Sequence, residues 1–130
     1  MNKRNLLKLA HYLETVVEAQ EMAFDMSDYR EDESGPNEPH TCGTAACALG
    51  YAPHVIPPLP GERYWVSYGN RAFEMDNSEW DWCFNSDWAG PDNTAAGAAK
   101  RIRHLCERGL PENWEEQMLG KAPYIFAEAS

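Results

Sequence analysis

The chain has 130 residues, 43% of them hydrophobic and 25% charged, which suits one globular domain over 1–130 that fills its core without disulfides or metals. Twenty-one Asp and Glu against eleven Lys and Arg leave a formal charge of −10, the opposite of the basic patches that contact phosphates. Direct nucleic-acid binding is therefore not expected, and the complementary relation, an acidic face on a basic protein, is.

The opening Met1-Asn2-Lys3-Arg4 is followed by no apolar run of signal-peptide length, and no stretch approaches a membrane span. A cytoplasmic protein with no membrane role is expected. Its four cysteines, Cys42, Cys47, Cys83 and Cys106, are then reduced and metal-free thiols.

In chain order, residues 5–27 read as one long amphipathic helix capped by Asn2 or Asn5. Leu6, Leu9, Ala10, Leu13, Val16, Val17, Gln20 and Phe24 recur at helical spacing with no Gly or Pro among them. The polar stretch 28–40, with Ser34-Gly35-Pro36-Asn37 and Pro39, is a loop. In residues 42–50, Thr44 suits the cap of a short Ala-rich helix that Gly50 or Pro53 ends. Pro57-Pro58-Leu59-Pro60-Gly61 continues no regular element. Tyr64-Trp65-Val66-Ser67-Tyr68 has strand-like composition. Ser78 caps a short helix through Phe84, and Thr94 caps another from about Ala95 to Arg108, with Gly109 as its stop. A last helix runs from Pro111 to Leu119. The expected fold is mainly α, with a long N-terminal helix packed on the Ala95–Arg108 helix, the 42–52 segment wedged between them, and at most a minor β element near 62–75.

Acidic residues are not scattered. Nine fall between Glu14 and Glu38, with Arg30 as the only basic residue there. On a continuous helix Glu14, Glu18, Glu21, Asp25 and Asp28 would share an arc of roughly 80° and form a row about 21 Å long. Neighbouring carboxylates in such a row repel by a few tenths of a kcal/mol per pair, so its regularity suggests a docking stripe. A second run, from Glu74 to Asp92, holds six acidic and no basic residues and interleaves Glu79 and Asp81 with Trp80, Trp82, Phe84 and Trp88. Aromatic anchors ringed by charge are a feature of interfaces, although a domain of this size also needs them for its core.

His40, Cys42, Cys47 and His54 lie within fifteen residues, and Cys83, His104 and Cys106 could join them in space. The spacings His-x-Cys and Cys-x4-Cys match no paired zinc motif. Cys42 near a helix N-terminus would have a lowered pKa, but no third residue is identifiable to orient a Cys–His pair. Phosphate-binding glycine loops, the nucleophile elbow and the H-E-x-x-H motif are all missing. Neither a catalytic residue, a metal ligand nor a cofactor is expected.

The segment from Cys42-Gly43-Thr44-Ala45-Ala46-Cys47 to Ala48-Leu49-Gly50-Tyr51-Ala52 resembles a motif of small uncharacterised bacterial and phage proteins. In those proteins a capped basic helix similar to Asp92-Asn93-Thr94 followed by Ala98-Ala99-Lys100-Arg101-Ile102 comes next, so the two segments stand in matching order. The resemblance implies a compact bacterial or phage domain and brings no activity with it. It implies architectural roles for Gly43 as a turn, Thr44 as a cap, and Cys47 and Ala48 as close-packing residues.

The leading expectation is a non-enzymatic protein that occupies a basic, nucleic-acid-binding surface of a partner, as a phage-type inhibitor of host defence such as an anti-CRISPR does. Glu14, Glu18, Glu21, Asp25, Asp28, Glu79 and Asp81 are the expected contacts. The alternatives are a Cys/His-dependent enzyme or metal protein, and an accessory protein whose acidity serves solubility.

Overall fold

A computed structural model describes residues 1–41 and 43–127. The protein is mainly α. Among the described residues six α-helices follow in order: α1 (Lys3–Tyr12), α2 (Ala48–Tyr51), α3 (Trp65–Phe73), α4 (Asn77–Phe84), α5 (Ala95–Arg108) and α6 (Trp114–Met118). No β-strand occurs among the described residues; Ala46 makes isolated bridges to Phe24 and Arg30.

Asn2 caps α1 by accepting a hydrogen bond from the Asn5 N–H (3.0 Å), and Asn5 donates in turn to the Ala72 carbonyl at the end of α3 (2.8 Å). Leu6, Leu9, Ala10, Leu13 and Val17 are fully buried, the stripe expected from their spacing. The helix does not reach residue 27. It widens into a π-helical stretch, Leu13–Glu18, and stops where Glu21 takes a left-handed conformation (φ 51°). The Met22 N–H donates to the Val17 carbonyl (2.9 Å), a bond one residue wider than an α-turn. Long-range partners hold the chain beyond it: Met26 N–H donates to Asn93 Oδ1 (2.7 Å) and Asp25 N–H to the Ala46 carbonyl (3.0 Å).

Helix α5 matches its expected bounds. Thr94 Oγ1 accepts from the Gly97 N–H (3.0 Å), and Gly109 ends the helix at φ 80°. It packs directly on α1 and its π extension. The 42–52 segment is not wedged between them, because α2 packs against α3 and α4. Thr44 does not cap α2, which is four residues long and starts after Cys47.

Residues 64–68 are not a strand. Trp65, Tyr68, Gly69, Ala72 and Phe73 are buried at helical spacing on α3, so that period outweighs the β-prone composition. Helix α4 is capped by Asp76 rather than Ser78. Asp76 Oδ1 accepts from the Glu79 N–H (2.8 Å) and Glu79 Oε1 from the Asp76 N–H (3.0 Å), a reciprocal capping box. Helix α6 begins at Trp114, not Pro111, after Asn113 turns left-handed.

Two buried arginines organise the irregular parts. Arg30 donates from Nε to the Gly50 carbonyl (3.2 Å) and from Nη1 to the carbonyls of Gly35 (3.0 Å) and Glu38 (2.9 Å), with its guanidinium 4.9 Å from the Trp65 ring. The one basic residue of the first acidic run is thus spent on holding its loop. Arg101 lies over Trp88 (4.5 Å) and donates to the Tyr124 hydroxyl (2.8 Å), which donates to Asp92 Oδ2 (2.9 Å) and pins the C-terminal segment.

Candidate functional site

The row of five carboxylates does not form, since Glu14 and Glu18 are on the π-helical stretch, Glu21 is in its stop, and Asp25 and Asp28 follow in the loop. Three of the five have partners inside the fold. Glu14 receives both Nε (3.0 Å) and Nη2 (2.6 Å) of Arg103 on α5. That bidentate contact lowers the pKa of Glu14, and the charge of Arg103 adds to it. Glu18 Oε2 accepts from the Ala96 N–H (3.2 Å) in the first turn of α5, where a carboxylate also meets the positive end of the helix dipole. Asp25 Oδ1 accepts from the Ser27 N–H (2.9 Å) and from Asn93 Nδ2 (3.2 Å). These carboxylates close the N-terminal helix onto α5, and this contact could not be read from a stripe on one helix.

In the second acidic run, Trp82 and Trp88 are core residues that meet edge to face at 5.1 Å, and Phe84 is buried. Trp80 is only partly buried and lies edge-on to Phe84 at 5.2 Å. Glu79 serves the capping box, while Asp81 accepts from Asn85 Nδ2 (3.2 Å).

The fold brings one member of each run together. A cavity of about 440 Å³ opens between the 26–29 loop and α4, and Asp28, Tyr29, Cys47, Trp80, Asp81 and Phe84 contribute to its lining. Three aromatic and two acidic residues thus contribute to one lining, and no Lys or Arg lines the cavity among the described residues. The loop is held against the start of α2 by the Cys47 N–H, which donates to the Asp28 carbonyl (3.1 Å) and the Tyr29 carbonyl (3.3 Å). Tyr29 stacks on Trp65 at 5.8 Å. Gly50 makes the close approach possible, because a Cβ there would lie 1.8 Å from the Tyr29 carbonyl oxygen. Such a pocket suits a cation: aromatic faces attract positive charge by their quadrupole, and the carboxylates pair with it. Tyr29 and Trp80 were missed as a pair because 51 residues separate them in sequence.

The thiols are poorly placed for chemistry. Cys47 is buried, which pushes its pKa up to about 11, and burial raises Cys83 further still. Cys106 is also free and buried. Cys42 lies outside the described residues. Among the described residues no three His, Cys, Asp or Glu side chains cluster as a metal site. Two of the four sequence neighbours do meet: His40 Nδ1 lies 2.9 Å from His54 Nε2, and His40 Nε2 lies 2.8 Å from the Thr44 carbonyl oxygen.

No helix among the described residues is long and apolar enough to cross a membrane. Comparison of the chain with protein-family models, curated proteins and solved structures finds no match.

Proposed function

We propose that this protein is a non-enzymatic binding module for a basic partner protein, one whose basic surface serves nucleic acid, and that the aromatic–acidic cavity receives a cationic side chain of that partner. The carrying observation is that Asp28 and Asp81 line one cavity with Tyr29, Trp80 and Phe84, and that no basic residue is in its lining among the described residues. A formal charge of −10 supports the reading, since it attracts a basic face at long range while the cavity gives the encounter a defined contact. Occupying the nucleic-acid site of a host-defence protein, as an anti-CRISPR does, is one use of such chemistry.

Most of the residues expected as contacts have other partners. Glu14, Glu18 and Asp25 close the fold, and Glu79 caps a helix. Asp28 and Asp81 remain at the centre of the proposed contact, with Glu21 at its own exposed position.

A direct test titrates the native chain with an arginine-rich peptide and follows tryptophan fluorescence. Saturable binding that weakens with salt and is reduced in Trp80→Ala is the expected result. Cation–π contact with a desolvated guanidinium contributes about 0.5–2 kcal/mol, so the loss should be roughly 2- to 30-fold in affinity. Unchanged binding by Trp80→Ala would mean that the peptide is held by diffuse surface charge, and the cavity reading would fail.

A further inference from the structure

The side of the fold that carries the first acidic loop holds a second constellation, built from imidazoles. His40, in the loop, and His54, at the end of the 3-10 turn Ala52–His54 after α2, face each other with Nδ1 and Nε2 2.9 Å apart. The other nitrogen of His40 meets the Thr44 carbonyl oxygen at 2.8 Å. A carbonyl can only accept, so His40 Nε2 carries the ring proton and His40 Nδ1 presents a lone pair toward His54. Fixing the remote ring N–H on a backbone carbonyl is what metal-binding histidines do to set the tautomer and orient the ring.

Aromatic neighbours pack against both rings. His54 stacks on Tyr12 (5.5 Å, 14° between planes), and the His40 ring lies 4.9 Å from that of Tyr51. Tyr51 is itself anchored by its hydroxyl, which donates to the Ala23 carbonyl. The pair separates two open hollows. One, of about 410 Å³, is lined by both histidines with Glu21, Met22 and Tyr51; the other, of about 320 Å³, is lined by both with Arg30 and Glu38.

We propose that His40 Nδ1 and His54 Nε2 form a two-nitrogen site for a late first-row divalent metal ion, Ni²⁺, Cu²⁺ or Zn²⁺. Metal–imidazole bonds of about 2.0–2.1 Å at a right angle span a nitrogen–nitrogen edge of ~2.9 Å, and a tetrahedral angle spans ~3.4 Å. The observed separation is therefore that of neighbouring positions around a square-planar or octahedral ion, and a small opening admits zinc. The ion takes the place of the proton shared by the two rings, which rotate to aim both lone pairs at it. Imidazole nitrogen selects these ions over Mg²⁺ and Ca²⁺, which demand oxygen. Arg30 opposes a cation on its side, so the ion enters from the hollow that Glu21 lines, with water or a bound ligand completing its coordination. This site is separate from the aromatic–acidic cavity and does not depend on what that cavity binds. It also departs from the absence of a metal expected from the irregular Cys and His spacing.

The test uses the untagged, metal-stripped full chain, with millimolar Mg²⁺ as a competitor at the surface carboxylates. Calorimetric titration with Ni²⁺ should give one ion per chain. His40→Gln and His54→Gln should each weaken it by at least the ~10- to 100-fold that loss of an outer-shell partner costs. Thermal melts of the metal-free variants establish that they fold. Independently of any variant, Zn²⁺ added to the native chain should move the ring-nitrogen NMR signals of His40 Nδ1 and His54 Nε2 and leave those of His11 and His104 in place. Undiminished binding by the double variant, ring signals that do not move, or no binding at millimolar metal would each overturn the proposal.

Discussion

Gly50→Ala places a methyl group where the 26–30 loop crosses α2. Its Cβ would lie 1.8 Å from the Tyr29 carbonyl oxygen, 2.9 Å from the Tyr29 carbonyl carbon and 2.8 Å from Ala46 Cβ. Neither neighbour is the tip of a flexible side chain, so the backbone itself must retreat by more than 1 Å to restore ordinary contact. Overpacking of this kind costs about 1–3 kcal/mol. Retreat also stretches the Cys47 N–H bonds to the Asp28 and Tyr29 carbonyls and the Arg30 bond to the Gly50 carbonyl. Each lost bond adds about 0.5–1.5 kcal/mol, and more where it leaves the buried Arg30 short of a partner. The expected destabilisation is therefore about 2–5 kcal/mol, a large share of the 5–15 kcal/mol by which domains are stable. Guanidinium denaturation followed by tryptophan fluorescence measures it. The cavity depends on the same packing, so the variant should also bind an arginine-rich peptide less well under conditions where it is folded. A denaturation midpoint equal to that of the native chain would refute this account of how the loop is held against α2.

Leu13→Ala should cost about 2–5 kcal/mol in the same assay, because Leu13 is fully buried where α1 passes into its π-helical stretch. An unchanged midpoint would mean that this face is exposed. The Glu14–Arg103 pair contributes little at neutral pH, about 0.2–1 kcal/mol for a pair this exposed, but it has a defined pH signature. The folded-state pKa of Glu14 lies below its ordinary 4.5, so its contribution is present above that value and is lost as pH falls through the folded pKa. Glu14→Gln should therefore narrow the gap to the native chain in melts taken below pH 4.5, and a gap that stays constant from pH 7 into that range would contradict the pairing.

How much of this was legible in the sequence differs by element. Helix α5 carries its own signals: a Thr94 cap, an apolar period and Gly109, all within reach of one another. Helix α3 had the period in Trp65, Tyr68, Gly69, Ala72 and Phe73, but the aromatic and β-branched composition of its first residues pointed to a strand. The end of the N-terminal helix had no local mark. Neither Gly nor Pro stands between Leu6 and Ser27, and what redirects the chain is Asn93 and Ala46, distant residues that bind Met26 and Asp25. The acidic stripe was inferred from that helix and disappears with its last turns. The two acidic runs were visible as composition, whereas the meeting of Asp28 with Asp81 requires the loop to cross α2, which only the tertiary fold provides.

The central claim, that the aromatic–acidic cavity holds a cationic side chain, is tested most directly by the affinity of an arginine-rich peptide for the native chain and for Asp28→Asn with Asp81→Asn. The change keeps shape and removes two charges from the cavity, leaving Glu14, Glu18 and the rest of the acidic surface intact. Each exposed pairing contributes about 0.2–1 kcal/mol, so the account predicts a loss of roughly 2- to 30-fold, greatest at low salt and shrinking as salt screens the pairs. A control variant with two charges removed elsewhere, Glu112→Gln in the exposed turn before α6 with Glu115→Gln in its first turn, should lose much less. Equal losses in the two double variants would show that the peptide answers to net charge alone, and the cavity would have no part in binding.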